Sequence, residues 1–143
     1  MAEPRTAVEA ALRALRHRDL SARELEQRLR AKGFDEAERA EALETLERTG
    51  ILDEARFAET RARSLAGRGA GDAAIRYALG VSGVAREVAD DALRALEPEA
   101  ERARAIAARR GPGPKTARYL RGKGFSEDVV AGVVAGSNAD ELG

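Results

Sequence analysis

Cysteine and tryptophan are absent from this sequence, and histidine, methionine and the other aromatic residues are scarce. Without cysteine the chain can form no disulfide bond, no thiolate metal site and no thiol nucleophile. A single histidine offers little for zinc binding or general acid–base catalysis, which usually draw on several imidazoles or thiolates. We interpret this residue, His17, as a solvated side chain at the end of a helix. We therefore expect no enzyme activity, no metal and no other cofactor.

Long apolar segments are also missing. No apolar run approaches the roughly 20 residues that a helix needs to cross a bilayer. The first residues, Met1-Ala2-Glu3-Pro4-Arg5, lack the apolar stretch of a secretory signal. We therefore expect a cytoplasmic protein without a membrane partner.

The residues that are abundant favour helices. Alanine, leucine, arginine and glutamate dominate, and all four are good helix formers. Clusters of β-branched and aromatic residues at alternating spacing, which would indicate strands, are nearly absent. The 25 basic and 25 acidic side chains balance, so the total charge indicates no class of partner and only its distribution can. We predict an all-α fold.

Helix starts and stops can be placed along the chain. Ser21 is followed by Glu24, three residues on, and this spacing predicts a capping box at the start of a helix. Asp35 and Glu38 repeat the arrangement. Further helix caps are predicted at Asp53, Asp72 and Ser126.

A pattern recurs three times at the ends of predicted helices. Leu25-x3-Leu29-x3-Gly33-Phe34 aligns with Ile75-x3-Leu79-x3-Gly83-Val84 and with Thr116-x3-Leu120-x3-Gly124-Phe125. Each copy supplies a buried stripe, a glycine that stops the helix and an apolar plug. The separations fall in the range of helical repeats. We predict three-helix repeats over residues 1–50, 51–97 and 98–135, followed by a disordered tail over residues 136–143.

One charge feature indicates a binding surface. Between residues 102 and 126 the chain carries eight basic residues and no acidic one. In the helix that Pro114 opens, Lys115, Arg118 and Arg121 fall three apart, on the face opposite Thr116 and Leu120. Either this face is simply solvated, or it binds a phosphate backbone or an acidic protein groove. The candidate contacts are Lys115, Arg118, Arg121 and Lys123, then Arg109 and Arg110, with Arg23, Arg28 and Arg30 as a second group.

Three segments resemble a known family. Ser21-Ala22-Arg23-Glu24-Leu25 with Lys32-Gly33-Phe34 is similar to the first repeat of the RecX regulatory proteins. Gly50-Ile51-Leu52-Asp53-Glu54-Ala55-Arg56-Phe57-Ala58 is similar to the family's most recognisable stretch. Leu120-x2-Lys123-Gly124-Phe125-Ser126, with Val130 behind it, is similar to the third repeat. The likeness runs from about Val8 to Val134.

This resemblance implies tandem three-helix bundles that form an elongated, curved helical array. It also implies a regulator that binds the RecA filament on single-stranded DNA and inhibits its ATPase, strand-exchange and co-protease activities, within DNA repair, recombination and the SOS response. We expect a monomer. The alternatives are a helical module that binds nucleic acid directly, without RecA, and an adaptor for another protein.

Overall fold

The computed structural model describes residues 4–142, with side chains described as far as residue 136. Residues 1–3, which bear on the expected lack of a secretory signal, and Gly143, the last residue of the predicted tail, lie outside this range. Nine α-helices and no strand occur in the described residues. They are α1 (Ala7–His17), α2 (Ala22–Ala31), α3 (Glu36–Arg48), α4 (Glu54–Gly67), α5 (Asp72–Val81), α6 (Arg86–Arg94), α7 (Glu99–Arg110), α8 (Pro114–Gly122) and α9 (Glu127–Leu142).

The helices group in threes, and each group has its own hydrophobic core. Helices α1–α3 form module 1, α4–α6 form module 2 and α7–α9 form module 3. Every pair of helices with extensive contact lies within one module. The chain exposes 8992 Å², whereas a compact monomer of its mass, 15.3 kDa, would expose about 7,100 Å². The predicted all-α fold of tandem three-helix repeats is confirmed, and the large exposed area fits modules arranged in a row.

The second helix of each module carries the predicted repeat. The stripe residues Leu25, Ile75 and Leu120 are fully buried. After each helix a glycine adopts a positive φ, and the next residue donates its backbone N–H to the carbonyl five residues earlier. This bond and the apolar residue that makes it form the Schellman ending, which satisfies the last carbonyls of the helix. The donors and acceptors are Phe34 to Leu29, Val84 to Leu79 and Phe125 to Leu120.

The predicted helix starts are correct except at one position. Capping boxes form at Ser21 with Glu24 and at Asp35 with Glu38. Ser126 Oγ accepts the Val129 N–H, at 3.2 Å. Asp72 does not cap α5 as predicted, because Gly71 is the N-cap and Asp72 is the first helical residue. The Asp72 carboxylate is instead paired with Arg102 of module 3.

Two boundaries differ from the sequence-based expectation. Leu52, which the sequence places in the second repeat, packs in the core of module 1 and donates its N–H to Leu46 at 2.9 Å. Helix α9 continues to Leu142, although residues 136–143 are expected to form a disordered tail. The tail contains no proline, and Gly136 costs a helix only about 1 kcal/mol relative to alanine. Neither proline nor a strong helix breaker therefore ends α9 at this point, and the helix runs on to Leu142.

Adjacent modules are joined where the second helix of one module begins and the second helix of the next one ends. At the first junction, Ser21 Oγ donates to the Ser82 carbonyl, and Arg23 donates to the carbonyls of Gly80, at 3.1 Å, and Val81. At the second junction, Gly71 N donates to Lys123 O at 2.8 Å. Because Ser21 aligns with Gly71 and Ser82 with Lys123, the two junctions use equivalent positions of the repeat.

A glutamate from the first helix of the following module completes each junction. Glu54, at the start of α4, accepts the N–H of Ala22 at 2.6 Å. Glu99, at the start of α7, accepts the N–H of Asp72 at 2.6 Å and that of Ser126 at 3.2 Å. Both carboxylates thus lie at helix N-termini, where the helix dipole favours negative charge. A glutamate at a helix N-terminus therefore joins both pairs of adjacent modules.

Among the residues that the structure describes, no helix combines the length and the apolar character needed to pass through a bilayer.

Candidate basic interface

The outward face of α8 carries the basic residues predicted from its spacing. Lys115, Arg118 and Arg121 are exposed, whereas Thr116 and Leu120 are buried beneath them. The buried Thr116 hydroxyl donates to the carbonyl of Gly111 at 2.6 Å, which fixes the loop before the helix. The prediction that three basic residues share the outward face is confirmed. Their contact with a partner stays a prediction.

A crevice beside α8 brings together residues of modules 2 and 3. It has a volume of about 340 Å³ and opens between the loop after α4 and the end of α7. Arg68 enters from module 2, while Arg109 and Arg110 enter from module 3. None of the described residues that line it is acidic. The lining consists of Gly67, Arg68, Gly69, Ile106, Arg109, Arg110 and Tyr119.

Tyr119 and Arg110 form the wall of this crevice together. The Arg110 guanidinium carbon lies 3.7 Å from the centroid of the Tyr119 ring, close enough for a cation–π interaction. Lys123 and Tyr119 both lie next to Gly69, which lines the crevice. A Cβ built on Gly69 would lie 3.6 Å from Lys123 Cε and 3.6 Å from the Tyr119 hydroxyl oxygen. A planar guanidinium held over a ring presents its N–H groups in a fixed direction, as recognition of phosphate or carboxylate requires.

Not every basic residue of the acid-free run faces outward. The Arg102 side chain is mostly buried at the second junction, where it donates to Ala70 O at 2.9 Å and pairs with Asp72. Arg121 pairs with Glu127 of α9, with 2.7 Å between Nε and Oε1. Carboxylates from outside the run therefore offset two of its eight cations. Lys115, Arg118 and Arg109 are exposed and form no ion pair with the residues that the structure describes.

The second predicted group lies in α2, and two of its three arginines make contacts within the protein. Arg23 donates to two carbonyls of α5, so its guanidinium belongs to the first junction. Arg30 pairs with Glu26, with 2.9 Å between Nη2 and Oε1. Arg28 is exposed on the same helix. The structure does not bring this group together with the residues of α8, because the two helices belong to the outer modules of the chain.

Sequence reasoning missed Arg68. It lies between two glycines in the loop after α4, which is far along the chain from Arg109, and no local pattern links the two positions. His17 is exposed in the last turn of α1, in accordance with its interpretation as a solvated residue. In the described part of the chain, no group of three or more His, Cys, Asp or Glu side chains could hold a metal ion.

Comparison with known proteins identifies the family. The model of the first three-helix domain of RecX matches residues 7–46, and the model of its second three-helix domain matches residues 53–93. The Regulatory protein RecX of Halorhodospira halophila is 37% identical, with 93% of this chain and 89% of that protein covered.

The chain belongs to the RecX family. A second relative, the Regulatory protein RecX of Chromohalobacter salexigens, is also 37% identical, over 87% of this chain and 88% of that protein. The crystal structure of RecX from Lactobacillus salivarius superposes with a TM-score of 0.81 and covers 93% of this chain and 95% of that one, at 22% identity. That likeness concerns the fold. The family is one of regulatory proteins, so the resemblance stated from the sequence is confirmed.

Proposed function

We propose that this protein binds the RecA filament on single-stranded DNA and lowers its ATPase, strand-exchange and co-protease activities, acting as a regulator rather than as a catalyst. The observation that carries the proposal is the basic interface of module 3. Exposed cations of α8 and the arginine crevice beside that helix both lie at module 3, and none of the residues that line the crevice is acidic. Membership in a family of regulatory proteins supports a partner related to RecA.

The chemistry of the interface supports an anionic partner surface. Arg109, Arg110 and Arg68 offer several N–H donors in planar forks, which match phosphate or carboxylate oxygens two at a time. A filament of protein on DNA presents both kinds of oxygen. The proposed contacts are Lys115, Arg118, Arg109, Arg110, Lys123 and Arg68, with Arg121 able to exchange its exposed pair with Glu127 for a partner.

The same crevice also favours a second candidate function, which is direct binding of single-stranded nucleic acid without RecA. Three arginines that converge on one cavity could hold a backbone phosphate by themselves. Binding of this kind would not depend on a filament and would weaken steeply with salt.

The deciding experiment measures the DNA-dependent ATP turnover of RecA with increasing amounts of this protein. We expect turnover to fall until the filament is saturated. Lys115→Glu with Arg118→Glu should raise the concentration needed for half-maximal inhibition by at least about tenfold. Each change replaces an attraction to the anionic partner with a repulsion, and each should weaken binding several-fold. Both side chains are exposed, so helix content measured by circular dichroism should not change.

Arg61→Glu with Arg63→Glu is the matched control. It makes the same change in net charge on exposed residues of α4 that do not line the crevice. If both double variants lose potency equally, the effect comes from net charge and the interface is misassigned. If the native protein leaves turnover unchanged at saturating concentration, the proposed function is wrong.

A further inference from the structure

The second helices of the three modules carry different chemistry on equivalent outward positions. Counted back from Gly33, Gly83 and Gly124, the same four positions are exposed in every module. In modules 1 and 3 these positions include two arginines each, whereas in module 2 they carry no charge. The residues are Arg23, Gln27, Arg30 and Ala31 in α2, Ala73, Tyr77, Gly80 and Val81 in α5, and Pro114, Arg118, Arg121 and Gly122 in α8.

These outward faces adjoin one another at both junctions. Arg23, at the start of the α2 face, donates to the carbonyls of Gly80 and Val81, at the end of the α5 face. Ala73, at the start of the α5 face, donates its N–H to Gly124 O at 3.2 Å, two residues after the α8 face ends. The three faces therefore form one continuous strip with an uncharged middle. Its two ends carry arginines, of which Arg30 and Arg121 form exposed ion pairs with Glu26 and Glu127.

The apolar middle of this strip is unusually exposed for such side chains. Tyr77 is 76% exposed and Val81 is 60% exposed. Arg76, the only cation of α5, is paired with Asp90 of α6, with 3.1 Å between Nε and Oδ1. Tyr77 and Val81 lie four residues apart and so share one side of the helix. Together they present an aromatic and an aliphatic side chain with no charge between them.

Gly80 gives independent support for a contact surface on α5. It lies inside α5, where glycine destabilises a helix relative to alanine. Its φ is not positive, and a Cβ built on it would meet nothing within 4 Å. Neither backbone conformation nor packing within the molecule therefore requires glycine here. A bare backbone between Tyr77 and Val81 would, however, let the surface of another molecule approach closely.

We infer that this strip docks a protein partner whose surface has an apolar pocket for Tyr77 and Val81 between two acidic areas. An uncharged centre with tyrosine, surrounded by arginine, is the composition of protein–protein interfaces and of their hot spots. Single-stranded nucleic acid fits less well, because each stacked base brings a phosphate. The middle of the strip spans about 15 Å of helix and offers no unpaired cation among its described residues.

The inference rests on the proposed function and deepens it, since the protein surface of the filament would be the partner of the α5 face. Its test measures the dissociation constant of the native protein and of variants for RecA filaments on labelled single-stranded DNA, and for the same DNA alone. Tyr77→Ala should weaken filament binding by at least about tenfold, as loss of a hot-spot side chain does. Thr60→Arg, on an exposed position of α4, is a control that should stay within about twofold.

Substitutions of Gly80 separate the two kinds of partner. Gly80→Arg restores the arginine that modules 1 and 3 carry at this position, so it should weaken docking into an apolar pocket but strengthen binding to nucleic acid. Gly80→Ala should raise the melting temperature while it weakens filament binding, which rules out loss of folding as the cause.

The outcomes distinguish the docking surface on α5 from the proposed function. Weaker filament binding by Tyr77→Ala and both Gly80 variants, with the control unchanged, supports the docking surface. Tighter binding by Gly80→Arg, or native affinity in all three variants, overturns it while the proposed function stands. If the native protein itself does not bind the filament, the proposed function fails, and the assignment of this partner fails with it.

Discussion

Individual residues join the modules by letting backbones approach one another. Gly71 donates its N–H to Lys123 O, and a Cβ built on Gly71 would lie 2.4 Å from the Gly124 carbonyl carbon and from Phe125 N. No side chain fits there, because backbone atoms on the other side of the contact cannot rotate away. At this position glycine is required by the close approach of two modules rather than by its own backbone angles.

Gly71→Ala should therefore destabilise the protein. We expect the free energy of unfolding, measured with urea, to fall by roughly 1–3 kcal/mol, the usual cost of forcing extra volume into a packed contact. Gly67→Ala is the control, since a Cβ there would meet nothing within 4 Å. Both changes restrict the unfolded chain equally. Gly67 ends α4 and Gly71 caps α5, so a difference larger than the roughly 1 kcal/mol that helix propensity and capping contribute reports the clash. Equal stability of the two variants would contradict the contact.

Whole helices meet through their termini. The N-terminus of α5 points at the C-terminal end of α8, and the carboxylate of Glu99 accepts N–H groups from the starts of α5 and α9. Arg102, one turn along α7, lies 5.9 Å from the centroid of the Phe125 ring and pairs with Asp72. One face of α7 thus connects module 2 to module 3 through a carboxylate and a guanidinium.

Glu99→Ala should loosen this connection. The substitution leaves the N–H groups of Asp72 and Ser126 without their acceptor, which we expect to lower the free energy of unfolding by about 1–2 kcal/mol. Glu101→Ala removes an exposed carboxylate from the same turn of the same helix and should change it little. Urea unfolding followed by circular dichroism compares the two. If Glu101→Ala costs as much as Glu99→Ala, helix charge rather than the junction explains the loss.

At the scale of the whole molecule, a neutral chain places its longest run of basic residues without an acidic neighbour, residues 102–126, in module 3. The total is 25 basic against 25 acidic side chains, yet the arginine crevice and the outward face of α8 both lie at module 3. Electrostatic attraction to DNA would therefore be strongest at module 3, while the acidic residues elsewhere oppose it.

Free single-stranded DNA should consequently bind much more weakly than the filament does. Fluorescence anisotropy with labelled DNA, at 50 mM and 200 mM salt, measures this directly. Under the proposed function, DNA alone should show no saturation at the protein concentration that saturates the filament. Saturable binding that falls by roughly a thousandfold or more between the two salt concentrations would instead favour the direct nucleic-acid function.

The sequence by itself determined the helices, their grouping in threes and the outward face of α8. These features depend on residues a few positions apart. Glu24 reaches back to Ser21, the Phe34 N–H donates to the Leu29 carbonyl five residues earlier, and Lys115 and Arg118 share a face because they lie three residues apart. Local spacing fixes local geometry, so such features can be predicted without knowing how the modules meet.

Only the tertiary structure decided which cations meet. Arg68 joins Arg109 and Arg110 because module 2 sits against module 3, and Arg102 turns inward for the same reason. The strip that places Tyr77 between two basic helix faces also depends on both junctions. The contacts that set these junctions, such as Gly71 with Lys123, join residues about fifty positions apart. No periodicity in the sequence predicts contacts between residues so far apart, because these contacts depend on how the three separate cores pack against one another.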